Sequence, residues 1–266
     1  MDAVWVVDHL DDPQVRFLDL SETRAGYDAG HIFGAIHVDW EQDIVNPDDP
    51  VRGQIATPDQ MERLLGSLGI RPDTTVVVYD GDRNLFAARM FWVLKVHGHG
   101  DVRLLEGGTN AWEGDLSTDI PDVAPTEYRI ASFDTSIRAT WDEVMERIED
   151  PSVLTCDARS PAEYGGTDVR SARGGHIPGA TNLEWTNAVR SDGTFKGVEE
   201  LREIYASAGF TGDRAIITYC QTGVRGAFTW FVLTQLLGYD DVKTYDGSWE
   251  EWGNREDLPA EVPPDG

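Results

Sequence analysis

Apolar residues run without interruption through Val76-Val-Val78 and Ile216-Ile217, the pattern of strands covered on both faces in a parallel sheet. Shorter strand-like runs, Val15 to Leu18 and Ser152 to Thr155, each lead into an aspartate, Asp19 and Asp157. Between such runs, helical stretches are predicted over Pro58 to Leu68, Leu85 to Val96, Val198 to Ser207 and Gly226 to Leu237. Two of the predicted helix starts carry a capping box, Thr57-Pro-Asp-Gln60 and Thr140-Trp-Asp-Glu143. There the first hydroxyl and the fourth side chain satisfy free N–H groups of the opening turn. Alternating strands and helices predict an α/β fold with parallel sheets and helices on both sides. In such folds chemistry gathers at the carboxyl ends of the strands, and Cys220 ends one.

The pattern repeats. Thr75-Val-Val-Val-Tyr-Asp80 lies on Ala215-Ile-Ile-Thr-Tyr-Cys220, 140 residues apart (220 − 80), and the register continues without a gap to Trp112 and Trp252. Upstream, Gly30-His-Ile-Phe-Gly-Ala35 answers Gly175-His-Ile-Pro-Gly-Ala180 at 145 residues (175 − 30), which implies an insertion within Gly165 to Gly174 of the second copy. Self-similarity on this scale means two copies of one domain. We assign residues 1–120 to the first, 121–139 to a linker that begins in the breaker-rich Asp119 to Thr126, and 140–260 to the second.

Composition narrows the function classes. The 266 residues are 40% hydrophobic and 10% aromatic, enough for packed cores, so a disordered chain is excluded. With 48 acidic against 22 basic residues the net charge is −26, which argues against a nucleic-acid partner. So strong a charge suits a salt-rich, halophilic cytoplasm. At about 1 M salt the Debye length is roughly 3 Å, so only charges lining a site would act on a small anion. No stretch of 18 apolar residues and no basic leader is present, so a cytoplasmic protein without a membrane partner is expected. Two cysteines, Cys156 and Cys220, fit a reducing compartment and no disulfide framework.

Cys220-Gln-Thr-Gly-Val-Arg225 stands between a buried strand and an apolar helix. Gly223 permits a positive φ in a tight turn, so that successive N–H groups can face inward as an anion nest. The helix start adds partial positive charge. Together these should favour the thiolate and make Cys220 a nucleophile. Cys156 reads instead as a small buried hydrophobe. Asp80 holds the cysteine position of the first copy, so one domain is active and the other supports it. His31 and His176 recur in the two Gly-His-Ile turns and read as structural, and His97 and His99 lack partners at metal-ligand spacing. Trp112, Trp249 and Trp252 read as packing residues.

Taken in order, Asp157-Ala-Arg-Ser-Pro-Ala-Glu-Tyr164, the two Gly-His-Ile turns, the Cys220 loop and Asp246-Gly-Ser-Trp-Glu-Glu-Trp-Gly253 resemble the two-domain rhodaneses, sulfurtransferases of the thiosulfate type. The resemblance implies a five-stranded parallel sheet flanked by helices in each domain, with the first domain inactive. It implies a persulfide on Cys220, a small anionic sulfur donor and a thiol or cyanide acceptor, with no metal or organic cofactor. Carried over by position, Cys220 is the catalytic residue and Gln221, Thr222, Gly223, Val224 and Arg225 bind the donor. Arg225 either faces the substrate anion or ties down the loop; Arg159 is a second anion-site candidate or the partner of an acid. Neutral Gln221 and Thr222 stand where vertebrate thiosulfate enzymes carry Arg and Lys, but mercaptopyruvate enzymes follow the cysteine with Gly, where the longer Gln221 stands, and end their loop in Thr, where Arg225 stands. Thiosulfate is therefore the expected donor. The alternatives are 3-mercaptopyruvate, or a persulfide carrier serving cofactor or tRNA sulfuration. A cysteine phosphatase or arsenate reductase fits less well, because its loop reaches arginine one residue later. Oligomeric state is not legible.

Overall fold

Val76, Val77 and Val78 are completely buried in a computed structural model that describes residues 1–262. Each such side chain contributes about 1.5–3 kcal/mol by leaving water. The chain divides into two compact units, each built around one parallel sheet.

Unit 1 comprises residues 1–47, 55–134 and 189–195. Its elements are α1 (Ala3–Asp8), β1 (Val15–Asp19), α2 (Arg24–Ala29), β2 (Ile36–His37), α3 (Trp40–Asp43), α4 (Pro58–Ser67), β3 (Thr75–Tyr79), α5 (Leu85–Val96) and β4 (Val102–Leu104). The strands order as β2-β1-β3-β4, with Val15 opposite Thr75 and Asp19 opposite Tyr79. The Thr57 capping box forms as predicted.

Among the described residues, unit 2 comprises 48–54, 135–188 and 196–262. It contains β5 (Arg138–Ala139), α6 (Trp141–Glu146), β6 (Val153–Asp157), α7 (Pro161–Tyr164), β7 (Thr181–Asn182), α8 (Val198–Ser207), β8 (Ala215–Tyr219), α9 (Val224–Phe231), β9 (Val242–Tyr245) and α10 (Ser248–Trp252). The order β5-β9-β8-β6-β7 puts β8 at the centre, with Val153 opposite Ala215 and Asp157 opposite Tyr219. The repeat read from sequence is thus a repeat of strand register.

Three expectations are corrected. The first sheet has four strands among the described residues, not five. At the position that β5 fills in unit 2, Met1 N donates to Leu104 O and Met1 O accepts from Glu106 N. Second, Thr140 makes no cap bond: its hydroxyl goes to Asp142, while Lys243 draws the Glu143 carboxylate to 2.6 Å. Third, the helix expected over Gly226 to Leu237 starts at Val224 and turns into a π-helical segment at Val232–Leu236. The Thr234 hydroxyl donates back to Trp230 O at 2.8 Å, a bond that loosens the regular ladder.

Most of the residues assigned to the linker pack on unit 1, which extends to Asp134. Thr126 N donates to Gly66 O, Ile130 N to Glu62 and Asp134 N to Val96 O. Prolines and aspartates there mark the absence of regular structure, not of packing. Residues 48–54 group with unit 2 and residues 189–195 with unit 1.

Candidate active site

Cys220 stands at the carboxyl end of the central strand β8, where the chain turns into α9. The turn needs Gly223 at φ 80, a left-handed conformation that glycine adopts without a Cβ penalty. The first turn of α10 fixes the start of the loop: Cys220 N donates to Ser248 Oγ at 3.1 Å, Trp249 N to Cys220 O at 2.9 Å and Glu250 N to Gln221 O at 2.8 Å. Ser248 itself sits at φ 51, matching Gly108 at φ 52 in unit 1. A non-glycine residue held there stores local strain, and here its hydroxyl also donates to Tyr245 O at 2.9 Å.

Unit 1 shows what this backbone course does with a negative group. Asp80 Oδ1 accepts from Asp82 N and Asn84 N at 2.7 and 2.8 Å, and Oδ2 from Phe86 N and Ala87 N, both at 2.9 Å. The turn and helix start converge four N–H donors on one carboxyl. Burial pushes that carboxyl up to about 7, against the pull of the donors. Arg83 at φ 60 takes the place of Gly223, and Asn84 adds a second left-handed residue, so α5 begins one position later than α9 in the repeat.

The predicted loop residues are brought together, and most side chains have partners. Gln221 donates from Nε2 to Ser171 Oγ at 3.0 Å and Glu250 Oε2 at 3.1 Å, while its buried Oε1 has no partner among the described residues. Thr222 lies against Gly53, where a Cβ would come within 2.7 Å of Thr222 O; only glycine allows so close a backbone approach. Val224 is buried. Cys220 is 1% exposed, so attack on it requires a small donor or a movement of the surrounding chain.

Arg225 donates from both terminal nitrogens to Glu163, at 2.7 and 2.8 Å. Glu163 also closes a capping box with Ser160 at the start of α7. Burial alone would raise the Glu163 carboxyl, but the Arg225 guanidinium and the Ser160 donors hold it down to about 2. Arg159 does not join the loop. Its guanidinium is 1% exposed, paired with Asp157 at 2.6 and 3.0 Å, bonded to Gly175 O at 2.8 Å and stacked over Trp249 at 4.6 Å. The Tyr219 hydroxyl donates to the same Asp157 at 2.6 Å.

Sequence reasoning missed Glu163, Ser171, Ser248 and Glu250. Ser160-Pro-Ala-Glu163 carried a capping-box signal that could have drawn attention to Glu163. Ser171 belongs to the predicted insertion of the second copy, which also binds α10: Ala172 N donates to Asn254 Oδ1, Arg173 Nη2 to Trp252 O, and Arg173 O accepts from Trp249 Nε1.

The other singled-out residues are structural in their contacts. Cys156 is fully buried, and burial beside Asp157 pushes its thiol up. His31 and His176 stack on Tyr27 and Tyr164 at 3.8 and 3.7 Å and bond to their carbonyls. His97 bonds to Val93 O and Ala56 O, and His99 to Tyr128 and Thr74 O. Trp249 and Trp252 are buried in the unit 2 core, and Trp112 packs against that of unit 1. Among the described residues no group of three or more His, Cys, Asp or Glu side chains is placed to hold a metal, and no helix is long and apolar enough to cross a membrane.

A parallel sheet repeated twice, with a cysteine loop at the end of one central strand and a carboxyl in its place in the other, defines the rhodanese class. Residues 2–115 and 140–255 both match the rhodanese-like domain, and the chain belongs to that family of sulfurtransferases. It is 44% identical over 269 residues to the sulfur carrier protein TtuD of Thermus thermophilus, covering 96% of this chain and 93% of that one. It is 42% identical over 269 residues to a Mycolicibacterium smegmatis protein named "Putative thiosulfate sulfurtransferase", covering 97% and 95%. Among solved structures, SseA of Escherichia coli, described as a 3-mercaptopyruvate sulfotransferase, superposes with a TM-score of 0.85 at 29% identity, covering 94% of this chain and 98% of that one.

Proposed function

We propose that the protein moves sulfane sulfur from thiosulfate to cyanide or a thiol through a persulfide on Cys220. The observation that carries this reading is the six-residue loop from Cys220 to Arg225, whose far end Glu163 fixes by two hydrogen bonds. A loop closed one residue earlier than in the cysteine phosphatases leaves room for a single sulfur rather than a tetrahedral phosphoryl group on the cysteine.

In the first step a lone pair of the Cys220 thiolate forms a bond to the outer sulfur of thiosulfate. The S–S bond of the donor breaks and its electron pair leaves with sulfite. In the second step the acceptor attacks the outer persulfide sulfur, and the Cys220 thiolate departs. The nest geometry seen around Asp80 supports a matching role for Gln221, Thr222, Gly223 and Val224, whose backbone would face the developing negative charge. Of the two roles open to Arg225, the pairing with Glu163 supports anchoring of the loop. The pairing of Arg159 with Asp157 supports a role for Arg159 beneath the loop, where it holds Trp249.

A persulfide carrier is the second reading, favoured by the 44% identity to a protein named as a sulfur carrier. It shares the Cys220 persulfide and differs in slow turnover with small acceptors. The net charge of −26 supports work in a salt-rich cytoplasm.

The test is thiocyanate formation by purified protein given cyanide with thiosulfate or with 3-mercaptopyruvate, at high and low salt, beside Cys220→Ser. Turnover with thiosulfate exceeding that with mercaptopyruvate is expected. Thiocyanate no higher than in Cys220→Ser with either donor would contradict an enzymatic role.

A further inference from the structure

Arg16 is the second residue of β1, an interior strand of the unit 1 sheet, at the end of the strand away from the Asp80 loop. Its Nε is buried without a hydrogen-bond partner among the described residues. Arg71, in the turn between α4 and β3, is exposed and close enough that its charge acts on Arg16. Both line an open pocket of about 380 Å³ together with Gly69, Asp122 and Ala124. A Cβ on Gly69 would lie 3.3 Å from Arg16 Nη2, which places the guanidinium beside Gly69 in the pocket lining.

An arginine pair without an acid is unusual in a chain with 48 acidic and 22 basic residues. The neighbouring backbone donors are already engaged: Gly69 N with Gly66 O, Ile70 N with Leu65 O, Arg71 N with Thr74 Oγ1. The Thr126 hydroxyl is engaged with Ile70 O. Asp122 lines the pocket, but no ion pair joins it to either guanidinium among the described residues. Two like charges held near each other, one with a donor that has no protein acceptor among the described residues, suit a ligand that supplies negative oxygens to both.

We infer that Arg16 and Arg71 form a binding site on unit 1 for a small dianionic tetrahedral oxyanion. The available donors are guanidinium N–H groups, so recognition is of charge and oxygen geometry. The shared chemistry fits inorganic phosphate and sulfur oxyanions such as sulfate. Both arginines belong to unit 1, whereas Cys220 belongs to unit 2.

The test is titration of 15N-labelled full-length protein with phosphate, and separately with sulfate, at ionic strength held constant with chloride. Saturable shifts are expected at the Gly69 and Arg71 amides and at Arg16 Nε–H, with the tighter of the two anions identifying the natural class. Arg71→Gln, on an exposed turn, should fold and weaken binding by about tenfold or more, and Arg16→Gln should do the same. Absence of saturable shifts at these groups with both anions, shifts confined to the Cys220 loop, or binding unchanged in Arg71→Gln would overturn the site.

Discussion

The guanidinium of Arg225 is held by both oxygens of Glu163, at 2.7 and 2.8 Å, across 62 residues of sequence. Glu163 is 1% exposed at its side chain, so the pair is a fixed joint between the end of the cysteine loop and the start of α7. Glu163→Gln leaves a partly buried guanidinium without its counter-charge, and a loss of about 3 kcal/mol in urea unfolding is expected. Displacing the loop by as little as an ångström should lower thiocyanate formation by about 10²-fold. Arg225→Lys should not restore it, because an ammonium cannot make the two-pronged contact.

The same carboxyl gives an acid limb to stability. Its folded value, near 2, lies below its ordinary 4.5. The stabilisation is therefore fully present above about pH 4.5 and is lost as pH falls towards 2. Wild type should lose stability relative to Glu163→Gln over that window in urea melts at stepped pH. A constant difference between the two proteins would count against the ion pair as the cause.

Asp80 has the opposite sign. Burial raises its carboxyl from 3.8 to about 7, so between about pH 4 and 7 the unfolded chain holds fewer protons than the folded one. The contribution is complete below about pH 4 and declines as pH rises through 7. Asp80→Asn cannot titrate, so wild type should lose ground to it across this range. Direct observation of the carboxyl by 13C NMR should show a midpoint near 7.

Ser248 combines backbone strain with a bond to Cys220 N. Ser248→Ala keeps the strain and leaves a buried N–H unsatisfied, which should cost about 1–3 kcal/mol. Ser248→Gly loses the same bond but relieves the left-handed strain, so it should be the more stable of the two by chemical denaturation. Both should slow sulfur transfer, since both free the start of the loop.

The fold was legible because its signals are local and repeated. Val76-Val-Val78 and Ile216-Ile217 announce two-sided burial, and the register around Asp80 and Cys220 survives without a gap. The Cys220 loop was legible for the same reason: cysteine, glycine and arginine lie within six residues. What it rests on was hidden, because the Glu163, Ser171 and Ser248 contacts span 62, 50 and 28 residues. No periodicity encodes such pairs. Thr140-Trp-Asp-Glu143 failed as a cap because Lys243, a hundred residues away, competes for its glutamate. The insertion could be located from the change in repeat offset, but its grip on Gln221 could not.

The central claim is that sulfur resides on Cys220, and intact-protein mass measurement tests it most directly. After incubation with thiosulfate and removal of excess donor, wild type should gain the mass of one sulfur atom, located on the peptide containing Cys220, and lose it on addition of cyanide with release of thiocyanate. Cys220→Ser should gain nothing. A sulfur adduct on Cys156, or an unmodified Cys220 under these conditions, would contradict the account.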